Sequence, residues 1–208
     1  MGKEQEEQTY QRLKKQLLLH PDSASLHYNL GLAYAHRGEL EEAVQAFKTA
    51  LELNPGLLEA RINLGGIYLR QGKIEAAVEQ NEKVLEIDPR LINALSNLGF
   101  LYVQQGKIDE AIAVYERAAA VHKNVPQVYA NLAHAFLLKG DPDGAVDACR
   151  KALAISDRFA LAHNHLARAH MQKGERDAAR THVRKALELG FPVSEELQRE
   201  LAGREGDV

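Results

Sequence analysis

The sequence of 208 residues contains no tryptophan and only one cysteine, Cys149. A single cysteine excludes an intramolecular disulfide and a CxxC redox or metal motif, which favours a reducing compartment. The first 19 residues carry acidic side chains where a secretory signal is basic, and their run of three leucines is too short for its apolar segment. We therefore expect a cytoplasmic protein.

Neither sign of charge is in large excess. The chain has 26 lysines and arginines and 29 acidic residues, which gives a formal net charge of -3. This balance provides no bulk attraction to nucleic acid or to an anionic membrane surface. We expect neither a nucleic-acid partner nor membrane insertion.

Short catalytic motifs are also lacking, because the sequence contains no GxxxxGK[ST], GxGxxG, HExxH or GxSxG. Ionisable residues cluster in the last third of the chain, at His134, His163, His165, Arg168 and His170. We expect His163 and His170 to pack in the core, and His134 and His165 to approach each other on the opposite helix face. No cysteine or acidic residue at a matched position completes a zinc site. The sequence predicts no enzyme, no metal and no cofactor.

The sequence does contain a repeat of 34 residues. Glycines recur with this spacing at Gly38, Gly72, Gly106, Gly140 and Gly174. Leucines followed by glycine or alanine recur at Leu30, Leu64, Leu98, Leu132 and Leu166. A second small position recurs at Ala43, Ala77, Ala111, Ala145 and Ala179. Such self-similarity is typical of a repeat protein.

One repeat predicts two helices. Leu30, Gly31 and Tyr34 lie on one helical stripe, and Gly38 suits the end of that helix. Residues 39–53 carry a second amphipathic pattern, which ends at Asn54 before a proline. Small side chains on both helices allow them to pack closely as an antiparallel pair. On the second stripe, Cys149 takes a core position and is expected to be an inert packing residue.

Period, order and residue types resemble the tetratricopeptide repeat (TPR) family. The resemblance implies an all-α fold, a right-handed superhelical solenoid of five helix-turn-helix units. We place the units at residues 24–57, 58–91, 92–125, 126–159 and 160–193. Residues 1–23 are expected to form an N-terminal half-repeat capping helix, and residues 194–208 a C-terminal capping helix and tail.

A row of asparagines on the non-core face of each first helix is the most informative polar feature. The row consists of Asn29, Asn63, Asn97 and Asn131, and ends with His165. Each asparagine offers a donor and an acceptor to the backbone of an extended chain. The row is similar to the asparagine ladder of some peptide-binding TPR superhelices. Asparagine is also common at this position in TPR proteins in general, so an ordinary polar surface is the alternative.

Further residues of the same face complete the predicted peptide-binding site. They are Tyr28, Leu32, Ile62, Gly66, Phe100, Arg70 and Arg168. Gly66 lies between Leu32 and Phe100 in the repeat frame, so we expect a recess for a side chain there.

The expected function is a non-enzymatic adaptor that binds a protein or peptide segment in the concave groove. The alternative is a structural component that self-assembles through its terminal helices. Leu18 and Leu19 fall on the uncovered side of the N-terminal helix, so a homodimer would form at that end. Near the other end, the basic run of Arg176, Arg180, His182, Arg184 and Lys185 is expected to be a solvated face, with an acidic partner as the alternative.

Overall fold

The structure is a computed structural model that describes residues 3–202. Within that range the regular secondary structure consists of twelve α-helices and no strand, which confirms the all-α fold class. The helices are α1 (Lys3–Leu19), α2 (Ala24–Arg37), α3 (Leu40–Leu53), α4 (Leu58–Arg70), α5 (Ile74–Ile87), α6 (Ile92–Gln104), α7 (Ile108–Val121), α8 (Pro126–Lys139), α9 (Pro142–Ile155), α10 (Ala160–Gln172), α11 (Arg176–Glu188) and α12 (Glu195–Ala202).

Local sequence signals fix where these helices begin and end. The Ser23 side chain accepts a hydrogen bond from the Leu26 amide and caps the start of α2. Gly38 ends α2 with φ of 79°, a left-handed conformation that glycine adopts without steric cost. The same conformation recurs at Gly72, Gly106, Gly140 and Gly174. The 34-residue glycine period therefore marks the turn within each helix pair.

The chain divides into two units, of which the first is Met1–Leu101. In this unit α2 packs on α3 and α4 on α5, while α1 lies against α2. The buried core around the first pair contains Ala43, Val44, Phe47, Ala60, Leu64 and Ile67. An added Cβ at Gly31 would come within 2.7 Å of the Phe47 ring, so the small residue is required for this close approach.

The second unit is Tyr102–Val208. Here α8 packs on α9 and α10 on α11, and α10 also contacts α8. The core includes Cys149, which is fully buried, and burial raises the pKa of its thiol to about 12. The prediction of an inert core cysteine is confirmed, because an un-ionised thiol is a poor nucleophile.

The last helix, α12, covers the end of the second unit. Ser194 caps α12 through the Leu197 amide, and Leu197 and Leu201 are buried against α11. Arg176 and Arg180 donate hydrogen bonds to the carbonyls of Glu200 and Leu201. The expectation of a wholly solvated basic face on α11 is wrong, because these two arginines hold backbone carbonyls that α12 leaves unpaired.

A membrane-spanning helix is not found within residues 3–202, since none of the helices there is both long and apolar enough.

Candidate functional site

Three asparagines of the predicted row lie in the first unit, at equivalent positions of successive helices. Asn29 is on α2, Asn63 on α4 and Asn97 on α6. Asn29 and Asn97 are exposed, whereas Asn63 is half-buried. The positions share a repeat register but differ in how much of the side chain is accessible to a ligand.

Asn63 is already engaged within the protein. Its Nδ2 donates to the Glu59 carbonyl at 2.8 Å and to the Tyr28 hydroxyl at 3.3 Å. Both amide hydrogens are therefore used, and only the Oδ1 acceptor is left for a ligand. The sequence predicted a donor and an acceptor at every member of the row, and the neighbouring tyrosine removes the donor here.

The second unit contains Asn131 on α8 and His165 on α10. Asn131 is half-buried, and its Oδ1 accepts a hydrogen bond from the Gln127 side chain at 2.8 Å. His165 is only 6% exposed. The exposed polar face therefore does not extend to His165, since neighbouring helices cover its ring.

The ring of His165 stacks on that of His134, with 5.7 Å between the ring centroids. The predicted approach of these two histidines is confirmed. Burial, with the nearby charges of His134 and Arg168, lowers the pKa of His165 to about 4. Burial also lowers the pKa of His134. Both imidazoles are therefore neutral at pH 7, and Arg168 is exposed beside them.

The apolar residues predicted around the row have different degrees of exposure. Tyr28, Leu32 and Ile62 are half-buried, whereas Phe100 is 44% exposed. An added Cβ at Gly66 would meet nothing within 4 Å, so the surface at Gly66 is open. This face has room for a side chain of a ligand at Gly66, with apolar groups at the equivalent positions of α2 and α6.

Arg70 makes a contact that recurs along the chain. Its guanidinium donates to the Ala35 carbonyl of α2 at 3.3 Å. Gln172, at the equivalent position of α10, donates in the same way to the Leu137 carbonyl of α8 at 3.1 Å. Both acceptors lie in the last turn of the preceding first helix. The exposed remainder of Arg70 is available to a ligand.

A cavity of about 380 Å³ between α1 and α2 was not predicted from the sequence. Its walls include Thr9, Arg12 and Leu13 from α1, and Asn29, Leu32 and His36 from α2. The cavity therefore brings two predicted site residues together with residues of the N-terminal helix. The 34-residue register was the signal that could have found it, because α1 corresponds to α3 in the preceding repeat frame.

Ion pairs and aromatic contacts fix α1 on α2 beside this cavity. Arg37 pairs with Glu7 of α1 and with Glu39, the latter at 2.7 Å. Its guanidinium lies 4.5 Å from the centroid of the Tyr10 ring. Hydrogen bonds from Gln11 and Arg37 lower the pKa of the Glu7 carboxyl, which keeps it ionised.

A second histidine group lies between α10 and α11. The His182 ring stacks on His163 and on His170, with centroid distances of 5.3 and 5.4 Å. His163 is buried as predicted, and its Nδ1 lies 3.1 Å from that of His182. His170 is hydrogen-bonded to Glu175 at 2.6 Å. Within residues 3–202, no group of three or more histidine, cysteine or acidic side chains is placed to hold a metal ion.

Comparison with known proteins places this geometry in a wider group. Residues 22–90 and 90–158 match the tetratricopeptide repeat family, and a second profile described in the same words matches residues 136–195. No curated protein matches the chain. The crystal structure of MamA is 27% identical with a TM-score of 0.70, and the match covers 77% of this chain and 94% of MamA.

Two further solved structures show the same fold at lower identity. YrrB, described as a TPR protein with an unusual peptide-binding site, is 19% identical with a TM-score of 0.72, over 92% of this chain and 97% of YrrB. A tetratricopeptide repeat protein from Parabacteroides merdae is 20% identical with a TM-score of 0.76, over 94% of this chain and 77% of that protein.

Proposed function

Because this chain belongs to the tetratricopeptide repeat family, we propose that it is a non-enzymatic adaptor that binds an extended or short helical segment of a partner protein. Family and fold support a protein-interaction scaffold. The observation that carries the finer proposal is the exposure of Asn29 and Asn97 at equivalent positions of α2 and α6. An exposed asparagine pairs with both polar groups of a peptide backbone, so the proposed recognition depends little on the sequence of the partner.

In the first unit, each asparagine has a different part in this proposal. Asn97 offers both its donor and its acceptor to the peptide. Asn63 accepts from a peptide N–H through Oδ1, because its Nδ2 is held by Tyr28 and Glu59. The open surface at Gly66 receives an apolar side chain of the peptide between Leu32 and Phe100.

The second unit has a smaller part in the proposal. Asn131 donates to a peptide carbonyl through Nδ2, because its Oδ1 is bonded to Gln127. Arg168, which is exposed, attracts an acidic side chain of the peptide. His165 is buried and takes no direct part.

Selection of peptides from a random display library on the full chain tests this proposal. We expect it to return peptides that shift the NMR side-chain amide signals of Asn29, Asn63 and Asn97. A selection that returns no binder, or only binders that leave these signals unchanged, contradicts the proposal. The expectations of cytoplasmic localisation and of no nucleic-acid partner stay predictions from composition.

Self-assembly is the second candidate function, and one observation favours it. Leu18 is 84% exposed and Leu19 76% exposed, side by side at the end of α1. Adjacent exposed leucines form an apolar patch that a second copy of the chain would cover in a two-fold dimer. Light scattering over a concentration series distinguishes this candidate, because the adaptor proposal does not require a change of mass.

A further inference from the structure

The cavity between α1 and α2 has the form of a seat for one more helix. Along α1, Thr9 and Leu13 stand 34 residues before Ala43 and Phe47 of α3. Those two α3 residues are fully buried, and Phe47 lies under Gly31 of α2. The corresponding face of α1 therefore carries the positions on which α3 seats its own partner helix.

The opposite wall leads to the same conclusion. Asn29 and His36 of α2 stand 34 residues before Asn63 and Arg70 of α4. On α4 these positions contact the first helix of the preceding pair, through the Tyr28 hydroxyl and the Ala35 carbonyl. The wall of α2 is thus the face by which a first helix contacts the one before it, and within residues 3–202 no helix lies against it.

We propose that this seat, formed by Thr9, Arg12 and Leu13 of α1 with Asn29, Leu32 and His36 of α2, binds one amphipathic helix of a partner protein. The helix lies on α1 as α2 lies on α3. It presents a small residue to Leu13, as Gly31 does to Phe47. The His36 imidazole donates to a carbonyl in the last turn of that helix, as Arg70 and Gln172 do at the equivalent positions.

The charge of the seat defines the partner further. Arg12 replaces Ala46 of the repeat frame, is exposed, and has no acidic partner among the described side chains. His27 and Ala46 line one groove, so the helix residue equivalent to His27 faces Arg12. An acidic residue at that position complements the arginine. Glu6 lines the cavity nearer the start of α1, so the charge is read locally at Arg12.

A pair of peptides built on the α2 sequence tests this seat. Both have the sequence of residues 24–38, one with His27→Glu and the other with His27→Lys. Fluorescence anisotropy with the full-length chain measures their dissociation constants. We expect the glutamate peptide to bind roughly threefold to fivefold more tightly than the lysine peptide, as one partly exposed ion pair allows. The Arg12→Glu variant is expected to reverse this preference.

Two further variants keep the test specific to the seat. Thr9→Trp fills the cavity and is expected to abolish binding of both peptides while circular dichroism shows the same helicity. Lys15→Glu, on an exposed position of α1 outside the cavity, is expected to leave the preference unchanged. Absence of binding by either peptide, or a preference that Arg12→Glu does not alter, overturns the proposal. Self-association that Thr9→Trp abolishes also overturns it, because the occupant is then a second copy.

Discussion

The bare backbone of Gly31 lies against the ring of Phe47, and the contact decides how closely α2 approaches α3. An added Cβ at Gly31 would come within 2.7 Å of that ring, which is fully buried and has no free space to move into. Gly66 of α4 is the opposite case, because an added Cβ there would meet nothing within 4 Å. The two helical glycines therefore serve different purposes.

Alanine substitution at these two glycines is expected to have opposite effects. Gly31→Ala lowers the free energy of unfolding by about 1–3 kcal/mol, because overpacking outweighs the helix propensity of alanine. Gly66→Ala raises it by about 0.5–1 kcal/mol through helix propensity alone. Urea denaturation measures both.

The Gly31 and Phe47 effects are also expected to be coupled. In a Phe47→Leu background, the cost of Gly31→Ala shrinks because the ring that clashes is gone. Equal effects of alanine at the two glycines would contradict this packing. Gly66→Leu is expected to keep the fold and to weaken binding of the selected peptides, whereas loss of folding would show that Gly66 is needed for helix packing.

Asn81 is a polar residue in the core of the first unit, at the repeat position of Phe47. It is 1% exposed, its Nδ2 donates to the Ala77 carbonyl at 2.8 Å, and its Oδ1 has no partner. Since an unpaired buried acceptor costs about 1–3 kcal/mol, Asn81→Leu is expected to raise the free energy of unfolding by about 1 kcal/mol or more. Asn81→Ala, which removes the same acceptor but leaves a cavity, serves as the control and is expected to lower it. Leucine that destabilises as much as alanine would show that the amide is better satisfied than its contacts indicate.

Stability is expected to depend on pH through the buried histidines of the second unit. Burial lowers the pKa of His165 and of His182 to about 4, and lowers that of His163. The unfolded chain then binds more protons than the folded one between pH 6.5 and 4, so the free energy of unfolding falls as the pH falls through that window. His165 alone accounts for a loss of roughly 3 kcal/mol at most.

Urea denaturation at pH 7.5, 6, 5 and 4 measures this dependence. His165→Leu is expected to flatten the pH profile, because its neutral side chain has no proton to gain. His20→Leu, at an exposed position, is the matched control and is expected to leave the profile unchanged. A wild-type profile that is flat from pH 7.5 to 4 would contradict the lowered pKa values.

Self-association is expected to depend on Leu18 and Leu19 if the second candidate function holds. Leu18→Glu with Leu19→Glu then gives a monomer with unchanged helicity and unchanged peptide binding, because both side chains are exposed. Sedimentation velocity measures the mass of both proteins. A wild-type chain that stays monomeric at high micromolar concentration would exclude this candidate.

The sequence predicted the positions that the 34-residue period controls. It identified the left-handed turn at Gly38, the small residue at Gly31, the buried Cys149 and the approach of His134 to His165. Each follows from the helix face on which the residue lies, and a period specifies that face.

Depth of burial and side-chain pairing could not be predicted in the same way. Asn29 and Asn63 share one register position, yet only Asn63 has a tyrosine of the preceding helix within hydrogen-bond distance. His165 shares that position too and is buried, because the neighbours of each helix differ even where the register does not. His182 was assigned to a solvated face and instead stacks on His163.

The central claim, that the asparagine row binds a peptide backbone, is tested most directly by calorimetric titration of a selected peptide into Asn63→Ala/Asn97→Ala. Each lost hydrogen-bond pair is expected to weaken binding by about 1 kcal/mol, or roughly fivefold in dissociation constant, with a nearly unchanged melting temperature. Asn124→Ala removes an exposed asparagine outside the row and is expected to bind as the wild type does. If the double variant binds the peptide with wild-type affinity, the row is ordinary polar surface and the account is contradicted.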